Sequence, residues 1–264
     1  MTNHDLIVMD NYLTNTVASY LSDKARLTAI LAHRASRPNF SIDEYVEGMV
    51  RAVLTNSVPW IRISPYIASG RIDSIFHSYS ATILKTVPYM DLVNDLRAIK
   101  CGNRSDILQM RSLSNNIKKL EDIISTYGSI EDYLRGLCPT TYPQITYDAV
   151  AAFDKTYKLG GMGIPLLCEF LKNMGFLLPK PDVHLRTFFG GDRMGTIAGA
   201  GPATNAVVFS EVATLARSST FTIPEIDLMV WSFCAKGYGG VCTKVPNCMA
   251  CPFHRTNGGS CAHP

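Results

Sequence analysis

The sequence predicts an all-α fold. Apolar residues recur at helical spacing along most of the chain, and two of these stretches follow a capping box. Strand patterns are almost absent, since the one alternating run, Ile61–Ile63, is short and ends at Ser64-Pro65. We therefore expect an all-α protein of about ten helices joined by short turns, closing in an irregular cysteine-rich tail.

Four stretches of helical periodicity are expected in the first half of the chain. The first runs from Leu6 to Leu13. The second, Tyr45 to Leu54, follows the capping box Ser41-x-x-Glu44. The third runs from Ile72 to Ile83 and the fourth from Ile107 to Ile124. Apolar positions three and four apart share a helix face, so each stretch should bury one side.

Shorter helices are expected in the second half. They are predicted at residues 130–137, 147–157, 164–174, 182–189 and 203–217. A final helix, which carries Trp231, follows the capping box Thr222-x-x-Glu225. No internal repeat or low-complexity linker is present in the sequence.

Composition and charge limit the class of protein. The chain has 264 residues, 47% of them hydrophobic, and a net charge of +3. This length suffices for one large domain or two small ones, and no run of about 18 apolar residues suggests a membrane span. The mild positive charge permits a polyanionic partner without identifying one. Asn3, His4 and Asp5 interrupt the apolar region of a secretory leader, so secretion is not expected.

Four of the eight cysteines form the pattern Cys242-x5-Cys248-x2-Cys251-x9-Cys261. Two thiolates two residues apart can face one metal centre, and an iron-sulfur cluster needs four converging thiolates. Zinc uses similar loops, and His254 and His263 lie close by as possible ligands. Disulfides are disfavoured because no secretory leader is expected. The spacing predicts a metal centre but leaves cluster and zinc open.

The other cysteines are scattered singly. They are Cys101, Cys138, Cys168 and Cys234. Buried small hydrophobic residues in a reducing compartment explain them most simply. Cys234 is a weaker candidate to replace Cys242 as a metal ligand.

A glycine-rich turn separates two of the predicted helices, with the sequence Lys158-Leu-Gly-Gly-Met-Gly-Ile164. Three glycines allow a tight helix-turn-helix. The amides of Gly161 and Gly163 would then point outward at a helix N-terminus, where the dipole and unpaired N–H groups attract a phosphate oxygen. The alternative is a corner that needs glycine only for close packing, and spacing alone does not separate the two.

An aspartate follows the second of these helices, in the sequence Lys180-Pro-Asp-Val-His-Leu-Arg186. Pro181 favours a helix start, and Asp182 stands where an N-cap or first-turn acid belongs. The side chain can serve only as a cap, or it can also project into a cleft beside the glycine turn. The two roles are compatible.

These motifs together resemble the helix-hairpin-helix DNA glycosylase superfamily, specifically its endonuclease III-like branch with a C-terminal iron-sulfur cluster loop. The resemblance covers nearly the whole chain, from residues 42–58 to Cys261. It implies a two-lobed helical DNA glycosylase fold, with a six-helix barrel and helix-hairpin-helix at 40–176 and a cluster-containing helical domain at 1–39 and 177–264. It also implies that the four clustered cysteines hold a 4Fe-4S cluster rather than zinc.

The resemblance implies a DNA N-glycosylase that acts in base excision repair or on a modified base. Such an enzyme rotates its target base out of double-stranded DNA and hydrolyses the N-glycosidic bond. Asp182 would stabilise the oxocarbenium character of the deoxyribose and activate water. Glu169 is a second acid, but its place in the middle of a helix favours a solvated role.

The resemblance also implies the DNA contacts. Phosphates would bind the amides of Gly161 and Gly163 and cations such as Lys180. Further candidate cations are Lys172, Arg186 and Lys244. Asn56 or Ser57, between two helices, would fill the gap left by the rotated base, although a plain polar turn explains the same segment.

Two departures from the family pattern bear on mechanism. Bifunctional members carry a lysine two positions after the hairpin glycines, and here that position is Pro165. This favours a monofunctional enzyme, unless Lys158, Lys172 or Lys180 supplies an amine. The first gap of the cysteine pattern is shorter and the last gap longer than in the common form, which weakens the assignment of Cys261.

Three other functions remain open from the sequence. They are a bifunctional glycosylase and AP lyase, a DNA-binding protein that lost catalysis on the same scaffold, and a zinc-stabilised helical module unrelated to DNA. We expect a monomer with no membrane partner, in the cytoplasm with the nucleoid or in a nucleus. The base that is removed is not predicted, because the aromatic residues that could line a pocket could equally be core.

Overall fold

The computed structural model describes residues 1–37, 39–196, 201–254 and 261–262. None of these residues lies in a β-strand, so the predicted all-α class is confirmed. In these ranges the structure has fourteen α-helices, which are α1 (Asn3–Thr16), α2 (Tyr20–Ser36), α3 (Ile42–Leu54), α4 (Trp60–Ala68), α5 (Arg71–Ile75), α6 (Ala81–Leu84), α7 (Tyr89–Ala98), α8 (Asp106–Tyr127), α9 (Ile130–Leu137), α10 (Tyr147–Thr156), α11 (Ile164–Asn173), α12 (Val183–Phe188), α13 (Asn205–Arg217) and α14 (Ile223–Cys234).

Helix starts agree closely with the sequence signals. The capping boxes at Ser41 and Thr222 both form, with the glutamate three residues later accepting from the cap backbone. Asp182 is the N-cap of α12. Local hydrogen bonding of these side chains to unpaired N–H groups therefore fixes where α3, α12 and α14 begin.

Three helices were not predicted from the periodicity. Helix α2 buries few apolar residues, and α7 buries only three residues along its length, so neither produces a strong apolar stripe. Helix α4 includes the alternating run Ile61–Ile63, where Ile63 is buried and Ile61 is exposed. A short alternating run does not by itself distinguish a strand from one turn of helix.

The stretch from Ile72 to Ile83 was predicted as continuous but is broken into α5, a turn at His77–Tyr79, and α6. All three residues of the turn have positive φ angles, of 49°, 51° and 61°. The Tyr79 hydroxyl donates to Asp73 Oδ1 at 2.6 Å, which anchors the turn to α5. Consecutive left-handed residues without glycine are not predictable from side-chain pattern.

The residues form two compact units, one of which comprises His33–Phe176. Helix α3 lies deep in its core, since eight of its 13 residues are buried. Helix α11 packs on α3 at Gly48, where an added Cβ would lie 2.4 Å from Met174 Sδ. Asn173 also donates its side-chain amide to the Gly48 carbonyl at 3.2 Å. The second helix of the glycine hairpin is thereby fixed to the core of this unit.

The other unit comprises Met1–Ala32 and Leu177–Pro264. Its core consists of apolar side chains from α1, α12, α13 and α14. Helix α14 contributes buried residues along its whole length. Cys242, Cys251 and Cys261 belong to the same core, so the C-terminal cysteine segment packs onto these helices.

No helix in the described parts of the chain is long and apolar enough to cross a membrane.

Candidate functional site

The glycine hairpin is a tight turn between α10 and α11. Leu159 and Met162 are buried and fix the turn to the core, while Gly163 is exposed as the N-cap of α11. Gly161 has a φ of 73°, a conformation that glycine adopts without strain. The structure thus places Gly161 and Gly163 at the N-terminus of a ten-residue helix.

Helix α8 holds this turn through Asn116. The Asn116 Nδ2 group donates to the Gly160 carbonyl at 3.0 Å, and its Oδ1 accepts from the Gly160 N–H at 2.7 Å. One buried carboxamide therefore pairs with both polar groups of one residue, as a neighbouring backbone would. Lys119, one turn further along α8, donates to the Lys158 carbonyl.

The turn approaches α8 too closely for side chains. A Cβ on Gly160 would lie 2.6 Å from Ser112 Oγ, and one on Gly161 would lie 3.0 Å from Gln109 Cα. Contacts this short require the Ser112 side chain to shift at Gly160 and the backbone or side chain of Gln109 to shift at Gly161. Glycine at these positions is therefore required for packing as well as for φ, and the two alternatives left open by the sequence are not exclusive.

The hairpin leaves three backbone donors available. In the described part of the chain, no acceptor lies against the N–H groups of Gly161, Gly163 and Ile164. Pro165, the next residue, has no N–H group, and the Leu166 N–H bonds to the Gly163 carbonyl at 2.9 Å. Unpaired donors at a helix N-terminus form a favourable site for a phosphate oxygen.

The loop between α3 and α4 lies on the same unit as the hairpin. Ser57 is exposed at its tip with a φ of 62°, Asn56 is partly exposed, and Val58 is buried beneath them. The Asn56 N–H bonds to the Val53 carbonyl at 3.1 Å, which tightens the end of α3. The polar loop tip is therefore presented to solvent on a buried anchor.

A polar network joins this loop to the hairpin. Asn103 Nδ2 lies 3.5 Å from the Val53 carbonyl and donates to Gln109 Oε1 at 3.0 Å. Gln109 Nε2 in turn donates to the Gly161 carbonyl at 3.3 Å. The carboxamides of Asn103, which is partly exposed, and Gln109, which is buried, thus connect two of the segments that the sequence assigned to DNA binding.

Asp182 lies in the unit that contains α12 and α14. Its Oδ1 accepts from the N–H groups of His184 at 2.8 Å and Leu185 at 3.2 Å. No donor in the described residues lies against Oδ2, and the side chain is partly exposed. One carboxylate oxygen is therefore held by the helix N-terminus while the other is available to a substrate.

Helix α14 positions the segment around Asp182. Its buried Asp227 accepts from the Lys180 backbone N–H at 2.7 Å, two residues before Asp182. Its Trp231 ring meets the His184 ring edge to face at 6.3 Å, two residues after Asp182. The sequence identified Trp231 only as a marker of the helix and missed Asp227, whose interior position is visible only in the fold.

The predicted phosphate-binding cations have varied surroundings. Lys172 pairs with Glu169 at 3.0 Å, so Glu169 is an ion-pair partner rather than a solvated acid. Arg186 donates through Nε to the Ala203 carbonyl at 2.7 Å, which gives it a structural contact. Lys180 is partly exposed and Lys244 is exposed.

The four clustered cysteines lie near one another in the C-terminal unit. Cys242, Cys251 and Cys261 are buried and Cys248 is partly exposed. Burial raises the pKa of the Cys251 thiol to about 11, and the neighbouring sulfurs of the other three contribute to this increase. No disulfide joins the eight cysteines, all of which belong to the described ranges.

Cys234, at the end of α14, connects this group to Asp182. It is fully buried, and its thiol donates a hydrogen bond to the Cys242 sulfur. Burial raises the pKa of Cys234 well above its ordinary value, and Cys242 and the Asp182 carboxylate raise it further. The singly scattered Cys234 is therefore a neighbour of both Asp182 and the cysteine group.

A buried guanidinium also lies beside these thiols. Arg193 is 7% exposed, and its Nε and Nη1 atoms are buried with no hydrogen-bond partner. The pKa of Cys242 is lowered first by the hydrogen bond from Cys234 and then, against burial, by the positive charge of Arg193. An anionic thiolate centre would satisfy these orphaned donors, and four soft sulfur ligands suit an iron-sulfur cluster.

The possible metal ligands among the described residues do not form a metal-binding group. No group of three or more His, Cys, Asp or Glu side chains there is arranged to hold a metal ion. His254 is partly exposed, and His263 lies outside the described residues. The cofactor predicted from the sequence therefore stays a prediction.

We predict that Asn116 stabilises the hairpin. Replacing Asn116 by alanine removes two hydrogen bonds, each worth about 0.5–1.5 kcal/mol, so the free energy of unfolding should fall by about 1–3 kcal/mol in denaturant titrations. Asn115, the exposed neighbour on α8, provides the control, and Asn115→Ala should change it by less than about 0.5 kcal/mol. Equal effects of the two variants would contradict the assignment.

Comparison with known proteins bears on the fold. No protein-family model matches the sequence, and no curated protein matches it. The chain is similar to the solved structure of Methanocaldococcus jannaschii 8-oxoguanine glycosylase/lyase in complex with 15mer DNA containing 8-oxoguanine, with a TM-score of 0.52 and 18% sequence identity. The match covers 86% of this chain and 96% of that chain. The chain therefore has the helical fold of a DNA glycosylase.

Proposed function

We propose that this protein is a DNA glycosylase that uses water to release a damaged or modified base from double-stranded DNA. The observation that carries the proposal is the Asp182 carboxylate, with Oδ1 fixed by two backbone N–H groups and Oδ2 available. Similarity in fold to a structure described as an 8-oxoguanine glycosylase/lyase supports the same class of reaction.

Asp182 would act on the sugar and on the attacking water. As the bond between C1′ and the base nitrogen breaks, its electron pair leaves with the base and positive charge builds on the deoxyribose. A nearby carboxylate stabilises that charge. The water oxygen then bonds to C1′ while its proton passes to Oδ2 and from there to solvent, and the base gains a proton. The products are a free base and an abasic site.

The hairpin would bind the DNA backbone. The N–H groups of Gly161, Gly163 and Ile164 have no acceptor in the described residues and would donate to phosphate oxygens. Such contacts carry no sequence information, so they position the duplex without selecting a base. Lys180 would add a positive charge to the DNA-binding surface.

Rotation of a base out of the duplex costs a few kcal/mol and leaves a gap in the stack. Ser57 and Asn56, at the tip of the loop after α3, are the candidates to fill that gap. Ser57 is exposed and its hydroxyl lies 3.4 Å from Asn56 Oδ1, so the two side chains are near each other at the loop tip. The buried Val58 gives the tip a fixed base.

A monofunctional reaction is the form of the activity that the residues favour. Pro165 offers no amine at the position where bifunctional relatives carry lysine. Lys158 pairs with Asp154 at 2.7 Å and Lys172 pairs with Glu169 at 3.0 Å, so both amines are engaged by carboxylates of their own helices or turns. The lyase activity named for the M. jannaschii protein is the alternative, and borohydride trapping distinguishes the two.

A 4Fe-4S cluster held by Cys242, Cys248, Cys251 and Cys261 completes the proposed enzyme. Support comes from their shared location and from the orphaned guanidinium of Arg193 beside them. With four cysteine ligands, the cluster would have no position open to substrate and would supply structural support to the C-terminal segment. Cys234 would then stay a thiol that hydrogen-bonds to the ligand Cys242. Zinc is the alternative metal.

We predict that Asp182→Asn abolishes most base release. Asparagine is also a good N-cap, so the variant should fold and bind duplex DNA as the wild type does. Base release from duplexes with uracil, oxidised, alkylated or hypermodified bases, scored as alkali-labile sites, should fall by about 10²- to 10³-fold. Asp148→Asn, which changes an exposed carboxylate on α10, is the control and should retain full activity.

The same assay separates the other functions. If Asp182→Asn releases the base as fast as the wild type does, the assignment of Asp182 is wrong. If wild-type protein binds duplexes but releases no base from any of them, the protein is a DNA-binding scaffold. A covalent adduct trapped by borohydride with the wild type would indicate a lyase.

We predict that protein purified without oxygen is brown and contains about four iron and four sulfide per chain. Cys251→Ser should lose most of both, because serine replaces a thiolate ligand. Cys101→Ala, which removes a buried cysteine of the other unit, should keep them and serves as the control. A colourless wild-type protein with stoichiometric zinc would contradict the cluster assignment.

A further inference from the structure

Helix α8 carries three exposed polar residues along one face, next to the glycine hairpin. They are Arg111, Asn115 and Lys118, and together they form the α8 strip. Residues four and seven positions apart lie on the same side of a helix, so the three side chains follow one line. Eight other residues of α8 are buried, which fixes the helix and therefore the direction of this line.

The α8 strip borders the residues that hold the hairpin. Those residues are Ser112, which lies against Gly160, Asn116, which bonds to Gly160, and Lys119, which donates to the Lys158 carbonyl. Each of them directly follows a residue of the strip in the sequence. One residue is a rotation of about 100° around a helix, so the strip runs parallel to the hairpin contacts on the adjacent face of α8.

The strip has two positive charges that no described carboxylate offsets. No ion pair joins Arg111 or Lys118 to an acid in the parts of the chain that the structure describes. Asp122 is exposed one turn after Lys118, but the same holds for these two side chains. Two other acids of α8 pair with cations outside it, Asp106 with Arg97 at 2.8 Å and Glu121 with Lys85 at 2.6 Å. Cations of this kind attract a polyanion, because their field is not cancelled nearby.

We propose that the α8 strip binds the phosphate backbone of double-stranded DNA beside the hairpin. Arg111 and Lys118 would each contact a phosphate, and the Asn115 amide would donate to a phosphate between them. The two cations are seven residues apart, about 10 Å along the helix axis, which is the axial length of about three phosphate steps of one strand. This inference rests on the proposed DNA glycosylase function and adds a DNA contact that takes no part in the chemistry.

The strip would supply a kind of attraction that the hairpin lacks. The N–H groups of the hairpin have no net charge, so they attract a phosphate only at short range. Arginine and lysine neutralise phosphates and release the counterions that surround DNA, which makes binding depend on salt. Contacts to phosphates carry no sequence information. We therefore expect the strip to set the affinity for any duplex, whether or not it contains a damaged base.

The test measures the affinity for an undamaged duplex at several salt concentrations between about 50 and 200 mM. The double variant Arg111→Gln/Lys118→Gln is compared with the wild type, and it should fold normally because both side chains are exposed. Each lost phosphate contact makes the slope of log K against log salt shallower by about 0.9, so we expect a change of about 1.8. Affinity at about 100 mM salt should fall about 10- to 100-fold.

Two controls separate a local contact from an effect of net charge. Arg135→Gln removes one charge from α9 of the same unit, where Arg135 pairs with Asp132 at 2.7 Å. It should leave the salt slope unchanged, whereas Lys118→Gln should make it shallower by about 0.9. The exchange Arg111→Lys/Lys118→Arg keeps both charges and should keep the wild-type slope. Base release at saturating DNA should be the same in the double variant as in the wild type.

The outcomes distinguish this inference from the proposed function. If the wild type binds duplex DNA and the double variant has the same slope and affinity, the strip is an ordinary solvated helix face and the inference is wrong. Equal losses in Arg135→Gln and Lys118→Gln would also overturn it, because the effect would then follow net charge alone. If binding depends on the strip but no base is released from any duplex, the inference holds and the glycosylase proposal fails. A wild type that binds no duplex contradicts both.

Discussion

The close approach of the Gly160–Gly161 turn to helix α8 is the contact on which the hairpin depends. Backbone meets helix there at distances that leave no room for a Cβ, and Asn116 pairs with both polar groups of Gly160. These two bonds use the N–H and carbonyl groups of Gly160 alone. The N–H groups of Gly161, Gly163 and Ile164 have no acceptor among the residues that the structure describes. A turn held this firmly presents its donors without further ordering, which reduces the entropy lost on binding a phosphate.

In the second unit, packing contacts likewise hold a functional group in place, here the Asp182 carboxylate. Helix α14 fixes the chain on both sides of Asp182, through Asp227 and Trp231. The end of α14 carries Cys234, whose pKa is raised by burial first and then by Cys242 and the Asp182 carboxylate. Helix α14 therefore contacts the segment around Asp182 and packs in the same core as Cys242, Cys251 and Cys261. Substitutions in the cysteine segment should be judged by their effect on α14 as well as on any metal.

Much of the fold could be predicted from local signals, but the supporting side chains could not. Periodicity and caps located α3 and α8, and the glycine spacing and Pro-Asp motif located the hairpin and the N-cap of α12. Asn116 and Gln109 were missed. In the sequence, a polar residue on the buried face of an amphipathic helix only breaks the apolar pattern, and its hydrogen-bond partner is visible only in the fold. Arg193 was also missed. It is unusual because its buried Nε and Nη1 atoms have no hydrogen-bond partner, and this is visible only in the folded chain.

The central claim is that the hairpin donors bind the DNA backbone. Hydrogen–deuterium exchange of the wild-type protein, with and without an undamaged duplex, tests it most directly, because exchange reports the bonding of individual amides. The account predicts that a peptide covering residues 159–166 exchanges more slowly when DNA is present, while a peptide within α13 does not change. Equal exchange of residues 159–166 with and without saturating DNA would contradict the account.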